Sequence, residues 1–574
     1  MKYVFLLFFL FSISFAQKNS HPTFFEKGNG NQTANYQEIL DFYEKLDLEF
    51  ETIQGLNFGF TDSGEPLRVY IFNADKRFDY DFKPEKAFVL INNGIHAGEP
   101  DGIDATMQLF RDLAYKKIKV PKNVVIITIP VYNIGGLLNR NSTSRVNQNG
   151  PEEYGFRGNA RNFDLNRDFI KADTKNTMAF AQTFHAFFSP DIFIDNHVSN
   201  GADYQYKLTY IMTEPKRLGN VLGNFVKTEM TPAIVNDLKD KKVESTPYVN
   251  VWSGTPADGF AQFSDTPRYA TGYTSLFNTI GYVVETHMLK PYNERVKVTY
   301  DFMVSTIEYA DKNWEKIKNL RIQNKEQYEA NNYYPIQWKI DSSNVEKITF
   351  LGFDGSYKKS DVTTGKRLFY DRSKPYSKLI NFYGTYKPTK EIKIPLAYVI
   401  PQGQWKIIDL LKHNKIEYSR LHQDTLIDVE SYKIVDYNTA KNAYEGHYPH
   451  SNTKVASTNK TVAFNKGDYL IKTDQLGVKY LLETLEPEAI DSFFNWNFFD
   501  TILQQKEGYS AYVFEDLANE YLNEHPELRA QLEQKIKEDK AFADNPDAQL
   551  DWVYKNSIYY EKAHLQYPIY RIVK

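Results

Sequence analysis

Cysteine is absent from all 574 residues. That excludes disulfides, thiolate nucleophiles, thiolate metal sites and a lipid-bearing cysteine behind a signal sequence, so any bound metal must be held by His, Asp or Glu. An excess of one charge is missing as well. Lys and Arg number 69 against 73 Asp and Glu, a net of -4, which gives no electrostatic footing for nucleic acid. Beyond the N-terminus there is no run of about 18 apolar residues, so no stable membrane insertion is expected. His-Glu-x-x-His, Gly-x-Ser-x-Gly and a phosphate-binding loop do not occur, nor does an internal repeat.

What is present begins with MKYVFLLFFLFSISFAQ. Lys2, the apolar run Val4 to Phe11 and the small-x-small step Ser14-Phe15-Ala16 form a cleavable signal peptide over 1–16. Export to the periplasm or the outside of the cell is therefore expected. The length favours at least two domains. Aromatic residues make up 15% of the chain, which suits packed cores and grooves for peptide or sugar.

Four short apolar runs punctuate the first 300 residues: AFVLIN (87–92), VVIITIPVYN (124–133), DIFIDN (191–196) and YVVET (282–286). Helix-like segments separate them, notably one after Glu99, one over 174–188 and one over 298–330. Strands buried on both faces of a mainly parallel sheet read this way. The expected fold is α/β, a mixed, mainly parallel sheet with helices on both faces over 17–330. A smaller C-terminal α+β region follows over 331–574, its role not set by its pattern. Within it, 335–395 reads as a small β unit, IPLAYVI and QWKIIDLLKHN as a strand and a helix, and about 487–542 as helical from the cluster FFNWNFF.

The chemistry concentrates at the ends of the apolar runs. His96 and Glu99 in NNGIHAGEPDG follow the first run, where both can stand above the carboxyl edge of the sheet. A His-x-x-acid pair arises about once by chance in a chain of this composition, and a capping glutamate is the plain alternative, so placement carries the weight. His197 follows the third run. Two His and one Glu, with water completing the tetrahedron, is a catalytic zinc arrangement, and Asp195 is placed to orient an imidazole. Glu285 closes the fourth run, where a carboxylate is costly without a function or a partner. His287 lies close by in sequence. The loop YGFRGNARNFDLNRDF brings Arg157, Arg161 and Arg167 together with Asn159, Asn162 and Asn166. Planar guanidinium groups of this kind bind carboxylates bidentately.

HAGEPDG, RGNARNFDLNRDF, IDNH and VVETH, in that order over roughly residues 35–310, resemble the zinc metallocarboxypeptidases of the carboxypeptidase A-like family. The resemblance implies one zinc per chain held by His96, Glu99 and His197, with Glu285 as general base. It also implies a terminal-carboxylate clamp of Asn166 and Arg167. Arg157 falls on the arginine that stabilises the oxyanion, with Arg145 and Arg161 as competitors. The family's Asn-Pro-Asp-Gly turn reads Asn133-Ile134-Gly135-Gly136 here, and no motif fixes the substrate-capping tyrosine. Tyr269 and Tyr273 are candidates for it, and Arg268 for substrate contact. The expected activity is release of C-terminal residues from peptide substrates. The alternatives are hydrolysis of cell-wall stem peptides, or of another amide beside a carboxylate, and non-catalytic binding of peptide or glycan. Retention of a base argues against the last. His447 and His450 in EGHYPHS read as part of a solvated loop. Nothing in the pattern fixes an oligomeric state.

Overall fold

A computed structural model describes residues 21–79 and 85–574. The expected signal peptide, 1–16, lies outside the described residues. The chain forms two compact units. The first takes the residues up to 265 together with 269–324 and 340–387. The second takes 266–268, 325–339 and 388–574.

The first unit is built on an eight-stranded sheet. Its strands are β1 (Ile53–Phe60), β2 (Pro66–Phe72), β3 (Ala87–Asn93), β4 (Val124–Ile129), β5 (Ile192–Ser199), β6 (Leu208–Met212), β7 (Ser245–Pro247) and, after a short β8 (Phe260–Ala261) outside the sheet, β9 (Ile280–His287). The order is β1-β2-β4-β3-β5-β9-β6-β7. β4, β3, β5 and β9 run parallel as neighbours, while β1, β2 and the β6/β9 pair bring in antiparallel ladders. Every residue of β3, β4 and β5 is buried, which is why these strands show no alternation in sequence.

Helices cover both faces. On one, Val89, Ile91, Ile126, Ile194 and Val284 pack in a single cluster with the helices Tyr36–Glu49, Asp101–Ala114 and Tyr292–Glu326. On the other, Phe180 of the helix Lys175–Ala186 meets Phe193 edge-on, and Phe187 packs on Phe88. This is the expected α/β fold. Gly102 lets the helix Asp101–Ala114 start hard against β5, because a Cβ there would sit 2.4 Å from the Asn196 Cβ and 2.5 Å from Asn93 Oδ1.

The compact units depart from a cut near 330 at residues 340–387. The strands Glu346–Lys359 and Lys366–Tyr383 form a long hairpin, and Phe350, Ile380 and Phe382 on it share a small core with Tyr204, Tyr206 and Phe260 of the first unit. Its last residues also pair in parallel with β8. A hairpin carries no local sign of which core it will cover, so its partner is legible only in three dimensions.

The second unit holds an antiparallel six-stranded sheet that includes Ala397–Ile400, with the helix Trp405–His413 following it as the sequence suggests. The helical reading of 487–542 fails in its first part. FFNWNFF is a turn-rich segment with Phe493, Phe494 and Trp496 buried and Asn497 at φ 67°, and regular helix resumes only at Ala511–Glu524. Aromatics buried on all sides leave no polar face for an amphipathic helix. No helix among the described residues is long and apolar enough to cross a membrane.

Candidate active site

The parallel core places the ends of β3, β5, β9 and β4 along one edge; His96 and Glu99 follow the end of β3, while His197 and Glu285 lie among the last residues of β5 and β9. His96, Glu99 and His197 bring one donor atom each to within 4.8 Å of one another, all three side chains buried. His96 Nδ1 lies 3.2 Å and His197 Nδ1 3.0 Å from the two oxygens of Glu99. The outer ring nitrogens are tied to carboxylates: His96 Nε2 to Asp164 Oδ1 at 3.1 Å and His197 Nε2 to Asp195 Oδ2 at 2.8 Å. With Nε2–H donated outward, each Nδ1 keeps a lone pair facing inward. Asn92 Nδ2 donates to the other Asp195 oxygen at 3.2 Å and so fixes that carboxylate. Two inward imidazole lone pairs and one carboxylate, with oriented outer partners, suit zinc and leave room for a fourth ligand.

Glu99 also accepts from Val198 N at 2.9 Å and from Arg145 Nη1 at 2.6 Å. Burial alone would raise its pKa, but Arg145, His96 and His197 outweigh it and hold the carboxyl well below the usual range. Asp164 behaves alike: burial opposes ionisation, and His96, Arg157 and Arg167 overcome it. His197 is pushed up, the desolvation of the ring being outweighed by Asp195 and Glu99.

Glu285 stands beside His197 as its registered neighbour across the β5/β9 ladder. Unlike Glu99 it receives no hydrogen bond from an arginine among the described residues, although the Arg145 charge acts on it. Burial drives its carboxyl up to about 8, with the Glu99 and Asp195 charges adding and His197 opposing.

These groups line one cavity of about 350 Å³, together with Arg145, Arg157, Asn166, Arg167 and Tyr269. Arg157 is 42% exposed and grips Asp164 Oδ2 through Nε and Nη2, at 3.0 and 2.8 Å. Its Nη1, 3.9 Å from Glu99 Oε1, donates to no group among the described residues. Arg145 is spent by comparison, with Nε on Gln148, Nη1 on Glu99 and Nη2 on the Val198 carbonyl. Arg161 turns away, donating to the Asp173 carbonyl over the Phe163 ring. Asn166 Oδ1 accepts from Ala270 N at 3.1 Å, and the Arg167 guanidinium lies 4.4 Å over the Tyr269 ring.

Tyr273 is not brought to the cavity. It is 1% exposed among Phe169, Phe180, Phe184 and Phe277, because it falls on the inward side of the short helix Ala270–Ser275. Arg268 is engaged within the second unit by Asp491 at 2.7 Å and by the Trp496 ring. His287 packs on Tyr204 and bonds Asp203. His450 is buried against Asp500 rather than solvated, and His447 lies against the Trp496 ring, so neither joins a metal cluster. Sequence reasoning missed Asp164, Tyr248, Trp252, Phe263 and Asp265. Only Asp164 carried a signal, two residues ahead of the Asn166-Arg167 pair.

A family model described as zinc carboxypeptidase matches residues 39–191, which include His96, Glu99, Arg157, Asn166 and Arg167 and end just before β5. A curated carboxypeptidase 2 from Trichophyton equinum is 24% identical over 505 residues, 84% of this chain and 87% of that protein. Carboxypeptidase 2 from Trichophyton rubrum is 23% identical, over 71% of this chain and 73% of its own length. Among solved structures, a metallo-carboxypeptidase from Burkholderia cenocepacia aligns with a TM-score of 0.36 and 17% identity, covering 49% of this chain and 70% of that one.

Proposed function

The chain carries a zinc carboxypeptidase domain and is a hydrolase of peptide bonds, and from this premise we propose that it is an exported enzyme that removes residues from the free carboxyl ends of peptides. The observation that carries the reading is the convergence of three kinds of group on one cavity: a metal-donor triad, the Glu285 carboxyl beside it, and an Asn-Arg pair.

We assign His96, Glu99 and His197 to the metal. When bound, zinc acts as a Lewis acid and lowers the pKa of its water from 15.7 to about 7. Glu285 takes the proton of the attacking water and delivers it to the leaving amine. Arg157 Nη1, which makes no hydrogen bond among the described residues, donates to the carbonyl oxygen as negative charge develops there. One such preorganised donor is worth about 2.7–4 kcal/mol. Asn166 Nδ2 and Arg167 hold the terminal carboxylate, and the Tyr269 ring under Arg167 keeps that guanidinium in plane. Tyr248 lines the same cavity and takes the capping role that no sequence motif assigned. Export, to the periplasm or the cell exterior, is supported by the signal-peptide pattern of 1–16.

The test compares a peptide with its C-terminally amidated twin, in wild type and in Arg167→Ala. Amidation is expected to slow wild type by about 10- to 100-fold, as loss of a charge-assisted bond requires. The variant should lose both rate and most of that discrimination. Equal cleavage of the twins by wild type would put an endopeptidase or a cell-wall amide hydrolase in its place.

A further inference from the structure

The hairpin of Glu346–Lys359 and Lys366–Tyr383 concentrates positive charge on an acidic chain. Residues 354–378 hold seven Lys and Arg against three Asp, in a protein whose net charge is -4. Its outer cations are not matched across the strands. Lys358 faces Arg367 and Lys359 faces Lys366 on consecutive rungs, while Asp354 faces Asp371 nearer the base. Like charges directly opposite each other destabilise a ribbon, so sorting the charges this way costs folding energy. The other long hairpin, of Thr425–Thr439 and His450–Phe464, has no such rung, and its Asp436 meets Lys454. Lys358, Lys359, Lys366 and Arg367 are all exposed, and none has an ion-pair partner among the described residues.

The hairpin is anchored at the mouth of the catalytic cavity. The Tyr370 hydroxyl donates to the Gly254 carbonyl at 3.1 Å. Gly355, which faces Tyr370 across the ladder, lies so close to Thr255 that a Cβ there would sit 2.4 Å from Thr255 Cγ2. Two residues before Gly254, Trp252 lines the cavity and is 67% exposed. Arg372 Nε donates to Asp203 Oδ2 at 2.7 Å, three residues past Asn200 of the cavity wall. Side chains alternate along a strand, so Gly355, Tyr357 and Lys359 share one face with Tyr370, Leu368 and Lys366. That face starts on the Trp252 loop and ends about 14 Å further out at two cations. A peptide whose carboxyl end lies in the cavity has its preceding residues at this mouth, and about four extended residues span the distance.

We propose that the hairpin binds acidic residues upstream of the scissile bond, so that the preferred substrates are peptides with an acidic stretch ahead of their carboxyl end. This rests on the carboxypeptidase reading above. Contacts so far from the reacting atoms hold substrate and transition state equally, so they act on KM and leave kcat unchanged. The zinc-loaded enzyme is assayed on peptides that share their last residues and differ in a preceding block of Glu, Gln or Lys. Wild type is expected to favour the Glu block over the Gln block by about 10-fold in kcat/KM, nearly all of it in KM. The preference should vanish as ionic strength rises from about 0.01 M to about 1 M, where the screening length falls from about 30 Å to about 3 Å. A variant combining Lys358→Gln, Lys359→Gln, Lys366→Gln and Arg367→Gln should cut both blocks alike and keep the Gln block within about threefold of wild type. A wild type that treats Glu and Gln blocks alike, or prefers Lys, overturns the inference whether or not the variant folds. A preference that survives in the variant overturns it too, because other residues then carry it. If wild type shows no block preference and the variant instead loses sedimentation on phosphatidylglycerol vesicles, the hairpin is a membrane contact and the inference falls. The amidated Glu-block peptide separates the two readings. If it is cut as fast as the free acid, the carboxypeptidase reading falls. If the free acid is required without an upstream preference, this inference falls alone.

Discussion

Glu285 is the residue on which the proposed chemistry turns, and two measurements follow from its surroundings. Glu285→Gln keeps the shape but cannot accept a proton, so turnover is expected to drop by about 10²- to 10⁴-fold while elemental analysis still finds about one zinc per chain. Loss of zinc in that variant would make Glu285 a ligand. In the metal-free protein its carboxyl sits at about 8, against an ordinary value of 4.5. Between those values the folded state keeps the proton and the unfolded chain has lost it. Its contribution is therefore full below about 4.5, falls as pH rises and is gone above 8. Melting temperatures of metal-free protein across that window should decline more steeply in wild type than in Glu285→Gln. For the ligands, Asp164→Ala removes the group that orients His96 and should weaken zinc binding by about 10- to 100-fold in a chelator competition. His96, Glu99, His197 and Glu285 were legible because each follows a buried run, and the end of such a strand is where a side chain reaches the sheet edge. Tyr248 and Asp265 were not, since each lies on a long connection whose place over the edge depends on the whole fold. Tyr273 was misassigned because an aromatic in a short helix gives no sign of which side faces the core.

Strands and helices were read more easily than their partners. β3, β4 and β5 are near-continuous apolar runs, and burial on both faces is the physical cause of that pattern. The helix Asp101–Ala114 was visible from its spacing, but what anchors its first turn was not. Asp101 is buried and receives Arg295 Nε at 2.8 Å and the Thr286 hydroxyl at 2.8 Å. Arg295, fully buried on the helix Tyr292–Glu326, also donates to the carbonyls of Asn149, Gly150 and Lys290. Arg295→Leu strands the Asp101 charge together with these carbonyls and that of Met288. A loss of about 3–5 kcal/mol is expected in chemical denaturation, the cost of breaking a buried pair from one side. A loss under about 1 kcal/mol would mean that solvent reaches Asp101 in the variant.

On the scale of the molecule, the hairpin spanning Glu346 to Tyr383 decides where the first unit can be cut. A chain ending at residue 330 exposes Tyr204, Tyr206 and Phe260, which the hairpin's Phe350, Ile380 and Phe382 now cover. It should aggregate on size exclusion, or melt well below the full chain. A monodisperse fragment with unchanged melting would show that this small core is dispensable. The register of β5 and β9 has a different reach. Because His197 and Glu285 face each other as rungs of one ladder, the separation between a metal donor and the proposed base is inherited from inter-strand spacing. Another part of the cavity wall, from Tyr248 to Tyr269, belongs to a separate connection. Under the proposed mechanism, rebuilding that connection offers a way to reshape the cavity while His197 and Glu285 stay where the ladder puts them.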